Sequence, residues 1–201
     1  MTEQPRNHLI MSGVGKASGG TYQNVNMQGV GNVQGNIDCV NCSTEGVSTF
    51  SGSIKAQTIQ LKGKARIEGD VSCETVNLEG QITISGKCDA EKFVGTGAFT
   101  LAGLLNAGEI FIQVYGPSHT GDIGAETIRI EKESGRSLFS RLKRLSAKTI
   151  EGDEIYLEST KANVVRGNRV MIGAGCDINL VEYRTEFERH KSARIGTLKK
   201  L

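Results

Sequence analysis

Cysteine and histidine are residue types that often act in catalysis or bind metals. Cys39 and Cys42 form a C-x-x-C spacing, which is typical of a redox pair or of half a zinc site. A zinc site needs four ligands, and no second close pair of Cys or His completes one; His8, His119 and His190 are far apart in the sequence. We therefore predict that the cysteines pack in a core, as free cysteines generally do, and that the protein has no metal and no cofactor.

Enzyme signatures are sparse in the rest of the chain. No GxxxxGK[ST] loop for nucleotide phosphates is present, and Gly13-Val-Gly-Lys16 lacks the required spacing. One weaker alternative is a β-helical enzyme that works at the Tyr-Gly-Pro-Ser-His turn around His119. The sequence predicts that the protein is not an enzyme and has no small-molecule substrate.

The composition suits a fold with many tight corners and a thin core. The 201 residues include 26 Gly and only 2 Pro, and aromatic residues make up 5%. The net charge of +2 divides into −4 over residues 1–133 and +6 over residues 134–201, a density more typical of a solvated surface than of a nucleic-acid site. Neither a signal peptide nor a run of about 18 apolar residues is visible, which favours a cytoplasmic protein.

The chain repeats itself at a fixed interval between Gly29 and Ile112. Two evenly spaced glycine series carry the repeat: Gly29, Gly46, Gly63, Gly80 and Gly97, and six places further on Gly35, Gly52, Gly69, Gly86 and Gly103. A short fixed period predicts a solenoid, in which each repeat buries its apolar face against its neighbours.

Apolar residues within each repeat come in pairs two residues apart, which is the alternation of a β-strand. One repeat holds the pairs Ile54/Ala56, Ile59/Leu61 and Ala65/Ile67. Three strands per turn, each with two inward side chains, predict an all-β, triangular, parallel β-helix with 17-residue coils. Because parallel crossovers are almost always right-handed, we expect a right-handed helix.

The same pattern sets the expected organisation of the chain. We predict an N-terminal tail over residues 1–11, a β-helix over residues 12–181 and a charged C-terminal tail over residues 182–201. A basic amphipathic insert interrupts the β-helix at about residues 133–146, where leucines recur at helical spacing.

Two surfaces are candidates for contact with a partner. The first is a lateral apolar face formed by Val94, Leu104 and Phe111, since a contiguous exposed apolar surface normally contacts a partner. The second is the insert, which either folds back onto this face or contacts an anionic membrane surface or a partner. Its contact residues would be Leu138, Phe139, Arg141, Leu142, Lys143, Arg144 and Leu145.

The repeats also resemble those of bactofilins, the polymer-forming bacterial cytoskeletal proteins. The resemblance rests on segments such as Ile54-Lys-Ala-Gln-Thr-Ile-Gln-Leu-Lys-Gly63 and extends from about Ser12 to Tyr183. It implies a right-handed β-helix, nucleotide-independent filaments without polarity, and a role in cell shape or in scaffolding at the membrane. A membrane-associated position at the inner face and a cell-wall-related partner follow from the same resemblance.

A solenoid without caps ends in open strand edges, which favour stacking of one rod on another. We therefore predict a self-assembling scaffold whose rods join end to end into a homopolymer. The expected interface consists of Val14, Tyr22, Val25 and Met27 at one end and Val170, Ile172, Ile178 and Leu180 at the other. The alternative function is a non-polymerising module that binds a partner protein on the apolar face of the fifth coil.

Overall fold

The structure, a computed structural model, describes residues 6–133 and 143–201, and these residues form strands joined by short turns. The strands are β1 (Asn7–Phe50), β2 (Ile54–Lys55), β3 (Thr58–Ile67), β4 (Val71–Ile84), β5 (Cys88–Leu101), β6 (Leu105–Val114), β7 (Ser118–Thr120), β8 (Asp122–Lys132), β9 (Leu145–Leu157), β10 (Thr160–Ile172), β11 (Asp177–Arg189) and β12 (Arg194–Lys200).

Each coil lies on the previous one in parallel register, and in the regular part the paired residues are one sequence repeat apart. Ile59 of β3 pairs with Val76 of β4, and Val76 pairs with Phe93 of β5. Every strand pairing in the described residues is parallel, and the sheet winds from β1 to β12 as one solenoid. The predicted all-β parallel β-helix is confirmed, and its right-handed sense stays a prediction.

The core is a narrow column filled by the predicted inward pairs. Ile59, Leu61 and Ile67 are fully buried, and their neighbours in the next coils are buried with them. Two rings enlarge the column locally: Phe93 and Phe99 meet edge to face with their centroids 6.5 Å apart. Branched aliphatic side chains fill most other inward positions, as suits the alternating faces of a strand.

The structure forms strands within both segments that were expected to be tails. The first strand begins at Asn7 rather than near Ser12, so residues 7–11 of the predicted N-terminal tail belong to the first turn of the solenoid. The segment from Glu182 onwards belongs to β11 and β12, and these strands pair with each other in register, Val181 with Leu198. Its charges misled the prediction, because most of them are exposed and the buried Glu182 is paired with Arg166 and Lys199, so they do not prevent strand pairing.

The predicted insert falls between β8 and β9, which end and begin at Lys132 and Leu145. Residues 134–142 lie outside the described residues. β8 and β9 are nevertheless direct neighbours, since Ile128 pairs with Ile155 across the interruption. The solenoid therefore continues on the far side of the insert in the same stack.

Candidate functional site

The first coil, at residues 7–23, closes one end of the described solenoid. Its side chains Leu9, Met11 and Ala17 are only partly buried, although they pack against the core. Val25 and Met27, which we expected at the assembly interface, are buried beneath this coil. These two residues therefore lie one coil inside the end of the described solenoid, because the strands begin earlier than the sequence pattern indicated.

Val14 and Tyr22 do belong to the first coil, but the Val14 side chain points outward from the solenoid, away from the core. Gly13 stacks on Gly29, where a Cβ on Gly29 would lie 2.4 Å from the Gly13 carbonyl oxygen, so this coil is shorter by a single residue than the regular ones. The shift moves Val14 from an inward to an outward position, where it is 86% exposed. Tyr22 is half-buried, and its hydroxyl donates a hydrogen bond of 2.9 Å to the Ser18 carbonyl.

The opposite end of the described solenoid is formed by β11 and β12. Val170, Ile172 and Ile178 are buried and Leu180 is half-buried, because β11 and β12 lie over them. These four expected interface residues are therefore one coil inside the end.

The outermost coil exposes inward-pointing apolar side chains in their place. Leu198 pairs in register with Val181; Val181 is 0% exposed, whereas Leu198 is 48% exposed. Ile195 and Phe187 are only partly buried in the same coil. The side chains have the alternation of a core, but no further coil of the described structure covers them.

The lateral apolar face is only partly as expected. Val94 and Phe111 are adjacent in register and half-buried, and Arg129 follows them in the same column. Leu104 is 43% exposed, but it lies in the turn before β6 rather than in this column. The guanidinium of Arg129 lies 4.8 Å from the ring centre of Tyr156, so a cation–π contact limits this face on one side.

Three of the seven predicted contact residues of the insert are described, and none of them is exposed. Leu145 is fully buried in the core, so its predicted contact with lipid or a partner is wrong. Lys143 is buried, forms an ion pair with Glu133 and lies 5.3 Å from the ring centre of Tyr115. Arg144 donates a hydrogen bond of 3.3 Å to the Gly175 carbonyl. The other predicted contacts, Leu138, Phe139, Arg141 and Leu142, lie outside the described residues.

A column of alternating charges runs along the last coils. The Arg166 guanidinium contacts Glu182 at 2.7 Å and Glu151 at 3.4 Å, and the Lys199 ammonium contacts Glu182 at 3.1 Å. Hydrogen bonds from Arg166 and Lys199 lower the pKa of the Glu182 carboxyl. Sequence spacing could have revealed this column, since its members recur at intervals close to one coil.

The cysteines are all free thiols and mostly core residues. Burial raises the pKa of Cys73 to about 12 and that of Cys176 to about 11. Cys39 differs, because a hydrogen bond with the Cys42 thiol lowers its pKa. Cys39 also lines a groove of about 660 Å³, together with Arg6, Asp38 and Lys55.

The described residues show neither a cluster of metal ligands nor a membrane-spanning helix. Within residues 6–133 and 143–201, no three His, Cys, Asp or Glu side chains converge as metal ligands would. His119 is exposed on the short strand β7, where it pairs with Thr100 of β5. The described part of the chain has no helix long and apolar enough to cross a bilayer.

The fold of the described residues defines a class, the parallel β-solenoid. Residues 6–89 match the family model "Bactofilin: Polymer-forming cytoskeletal", and this match agrees with the resemblance seen in the repeats.

Two curated relatives share the repeats. The uncharacterized protein YhbF of Bacillus subtilis (strain 168) is 44% identical over 100 residues, which are 49% of this chain and 42% of that protein. The uncharacterized protein YhbE of the same strain is 39% identical over 102 residues, 49% of this chain and 43% of that protein. The match thus spans less than half the length of either relative. No solved structure matches the chain significantly.

Proposed function

We propose that the protein is a self-assembling scaffold whose rods join end to end into filaments without any nucleotide. One observation carries this proposal: Val181 is buried and Leu198 is exposed, although both occupy the same inward column in successive coils. A second rod stacked on this end would bury Leu198 as Leu198 itself buries Val181. The polymer-forming description of the family supports self-association in general.

The first coil offers the corresponding surface at the other end. Leu9, Met11 and Ala17 point inward without complete cover. The outer edge of a terminal strand is a template for pairing through its backbone hydrogen-bonding groups. Stacking would continue the parallel sheet and satisfy these groups with the next rod. The proposed interface therefore shifts from the residues predicted by sequence to the outermost coils.

A substitution at the end of the rod tests this proposal directly. Leu198→Glu places a charge in the proposed junction, and we expect it to abolish filaments in negative-stain electron microscopy while β-sheet circular dichroism is retained. Met171→Glu is the matched control, because Met171 is 42% exposed on the side of an inner coil, and its filaments should persist. Filaments of Leu198→Glu that equal those of the unchanged protein would refute end stacking.

We further propose that the filaments organise other components at the inner face of the membrane, in the service of cell shape or of a cell-wall-related protein. Support comes from the apolar and basic composition of residues 138–142, which suits an anionic bilayer surface. Replacing Leu138 and Phe139 with Ser should abolish co-flotation with anionic vesicles and leave the melting temperature unchanged. A lowered melting temperature with unchanged flotation would instead indicate that the segment packs on the solenoid.

A second candidate function is a protein-binding module that uses the column of Val94 and Phe111. The half-buried state of these two side chains, in a column that is otherwise polar from Ser43 to Asn77, favours it. Single short rods of the unchanged protein in electron micrographs would make this function the leading one.

A further inference from the structure

Cys39 and Cys42 place two thiols on either side of one corner of the solenoid. Only Val40 and Asn41 separate them in the chain, both side chains are buried, and each thiol shifts the pKa of the other. The other described cysteines lack this arrangement; the thiol of Cys176, for example, donates to the Leu157 carbonyl at 3.3 Å. Adjacent thiols across a tight bend are the arrangement from which a disulfide can form.

The two thiols differ in their access to solvent. Cys39 is 4% exposed and lines the groove of about 660 Å³, whereas Cys42 is fully buried and is not part of the groove wall. The rim of the groove carries an ion pair of 3.0 Å between Arg6 and Asp38. A small molecule that enters the groove therefore meets Cys39 first.

The electrostatics of the pair are equally asymmetric. The hydrogen bond from Cys42 is the largest influence on Cys39 and lowers its pKa, while the same bond and burial raise the pKa of Cys42. The positive charge of Arg6 also lowers the pKa of Cys39, and burial and the negative charge of Asp38 oppose this. A more acidic thiol at the wall of a groove, beside a less acidic thiol behind it, is the usual division between an attacking and a resolving cysteine.

We propose that Cys39 and Cys42 form a reversible thiol–disulfide site that is open to low-molecular-weight disulfides through the groove. The Cys39 thiolate attacks one sulfur of the small disulfide, a bond forms between the two sulfurs, and the other half leaves as a thiolate. Cys42 then loses its proton to that thiolate or to water, and its sulfur attacks the Cys39 sulfur. The second half of the small disulfide leaves as a thiol. The protein loses two electrons and two protons, and the small disulfide gains them.

Mass spectrometry of the folded chain tests the site. We would treat the protein with bis(2-hydroxyethyl) disulfide, block the remaining thiols with iodoacetamide and digest with trypsin. Residues 17–55 form one tryptic peptide that holds Cys39 and Cys42 alone, while Cys73 lies in the peptide of residues 67–87. We expect the first peptide to lose two hydrogens and to resist alkylation, before any change appears at Cys73. The dithiol should return on treatment with dithiothreitol.

Variants assign the two roles. Cys42→Ser should stop the reaction at a stable mixed disulfide on Cys39, and Cys39→Ser should leave Cys42 unmodified. Cys73→Ser is the control, because Cys73 lines the same groove but lies outside the peptide of residues 17–55, and disulfide formation in that peptide should be unchanged. The measurement on the unchanged protein stands even where a variant fails to fold.

The charges at the rim give a readout that simple burial would not produce. In the Cys42→Ser background, Arg6→Gln should slow adduct formation roughly threefold, and Asp38→Asn should speed it by a similar factor, because each changes the thiolate fraction of Cys39. Both thiols remaining free in the peptide of residues 17–55 while Cys73 reacts would overturn the proposal. Equal rates in the Arg6 and Asp38 variants would overturn the route through the groove.

Discussion

Asp70 accepts a hydrogen bond from the backbone N–H of Lys87, with 2.9 Å between Oδ1 and N, one coil further along the chain. Ser53 does the same for Asp70 at 3.0 Å, and Asn36 does the same for Ser53 at 2.9 Å. Three side chains at one corner thus join four successive coils. The glycine before Lys87 completes the arrangement, since a Cβ on Gly86 would lie 2.2 Å from the Asp70 carboxylate oxygen.

This corner ladder predicts a stability loss when its acceptor is removed. Asp70→Ala leaves the Lys87 N–H without its partner and should lower the free energy of unfolding by about 1 kcal/mol in urea titration. Asp70→Asn is the matched control, because Asn36 already fills the same role in an earlier coil. Equal losses in both variants would show that charge rather than the hydrogen bond matters at this corner.

The other glycine corner should tolerate no side chain. Gly80 has φ +123°, and a Cβ there would lie 2.1 Å from the backbone oxygen of Gly63. Gly80→Ala should therefore cost roughly 3 kcal/mol or more of unfolding free energy. Gly124→Ala is the control, since its nearest atom would be the Asn106 side-chain oxygen at an ordinary 3.6 Å. A stable Gly80→Ala variant would mean that the coils can separate locally at little cost.

The packing around the aromatic pair of the core predicts that substitutions at Gly95 and Phe99 have non-additive effects on the free energy of unfolding. Gly95 occupies an inward position between Leu78 and Ile112, and a Cβ there would approach the rings of Phe99 and Phe93 at 3.0 and 3.1 Å. Phe99→Ala should cost roughly 3–5 kcal/mol through the cavity it leaves, and Gly95→Val should cost roughly 1–3 kcal/mol through overpacking. The double variant should be more stable than the sum of the two losses predicts, because the valine enters the vacated space. Simple additivity in thermal and urea unfolding would contradict this packing.

The Glu182 carboxyl predicts a dependence of stability on pH. Its pKa is lowered in the folded protein, so its contribution is present above the ordinary carboxyl value of 4.5 and is lost as the pH falls through the folded value. Glu182→Gln should be less stable than the unchanged protein near neutral pH, and the difference should shrink in acid. Urea titrations at several pH values measure it, with the exposed Glu126→Gln as control. A difference that stays constant across this pH range would contradict the ion-pair origin.

The fold could be predicted because its energetics repeat with the sequence. Each coil buries the same inward pairs and needs the same backbone at its corners, so the columns headed by Ile54 and Ile59 are visible without a structure. The ends could not be located in the same way. Leu9 and Met11 precede Val25 and Met27 by slightly less than a full repeat, so a strictly periodic frame misses the first coil.

The last coils were missed for a different physical reason. In β11 and β12, Glu182 and Lys199 bring charges into the stack, where Glu182 pairs with both Lys199 and Arg166, so hydrophobic alternation alone undercounts the strands. The thiol pair shows a similar limit. Spacing shows that Cys39 and Cys42 are close in the chain, but only the fold places Cys39 and Arg6 at one groove.

The register of one coil on the next has a consequence for how the protein loses its structure. Every inner coil is held on two sides, whereas the coil that starts at Asn7 and the coil that contains Leu198 are each held on one side within the described solenoid. Unfolding should therefore begin at the tips and travel inward, as in other one-dimensional repeat proteins. When two rods join, two terminal coils become inner coils that are held on both sides. The melting temperature should therefore rise with protein concentration as filaments lengthen.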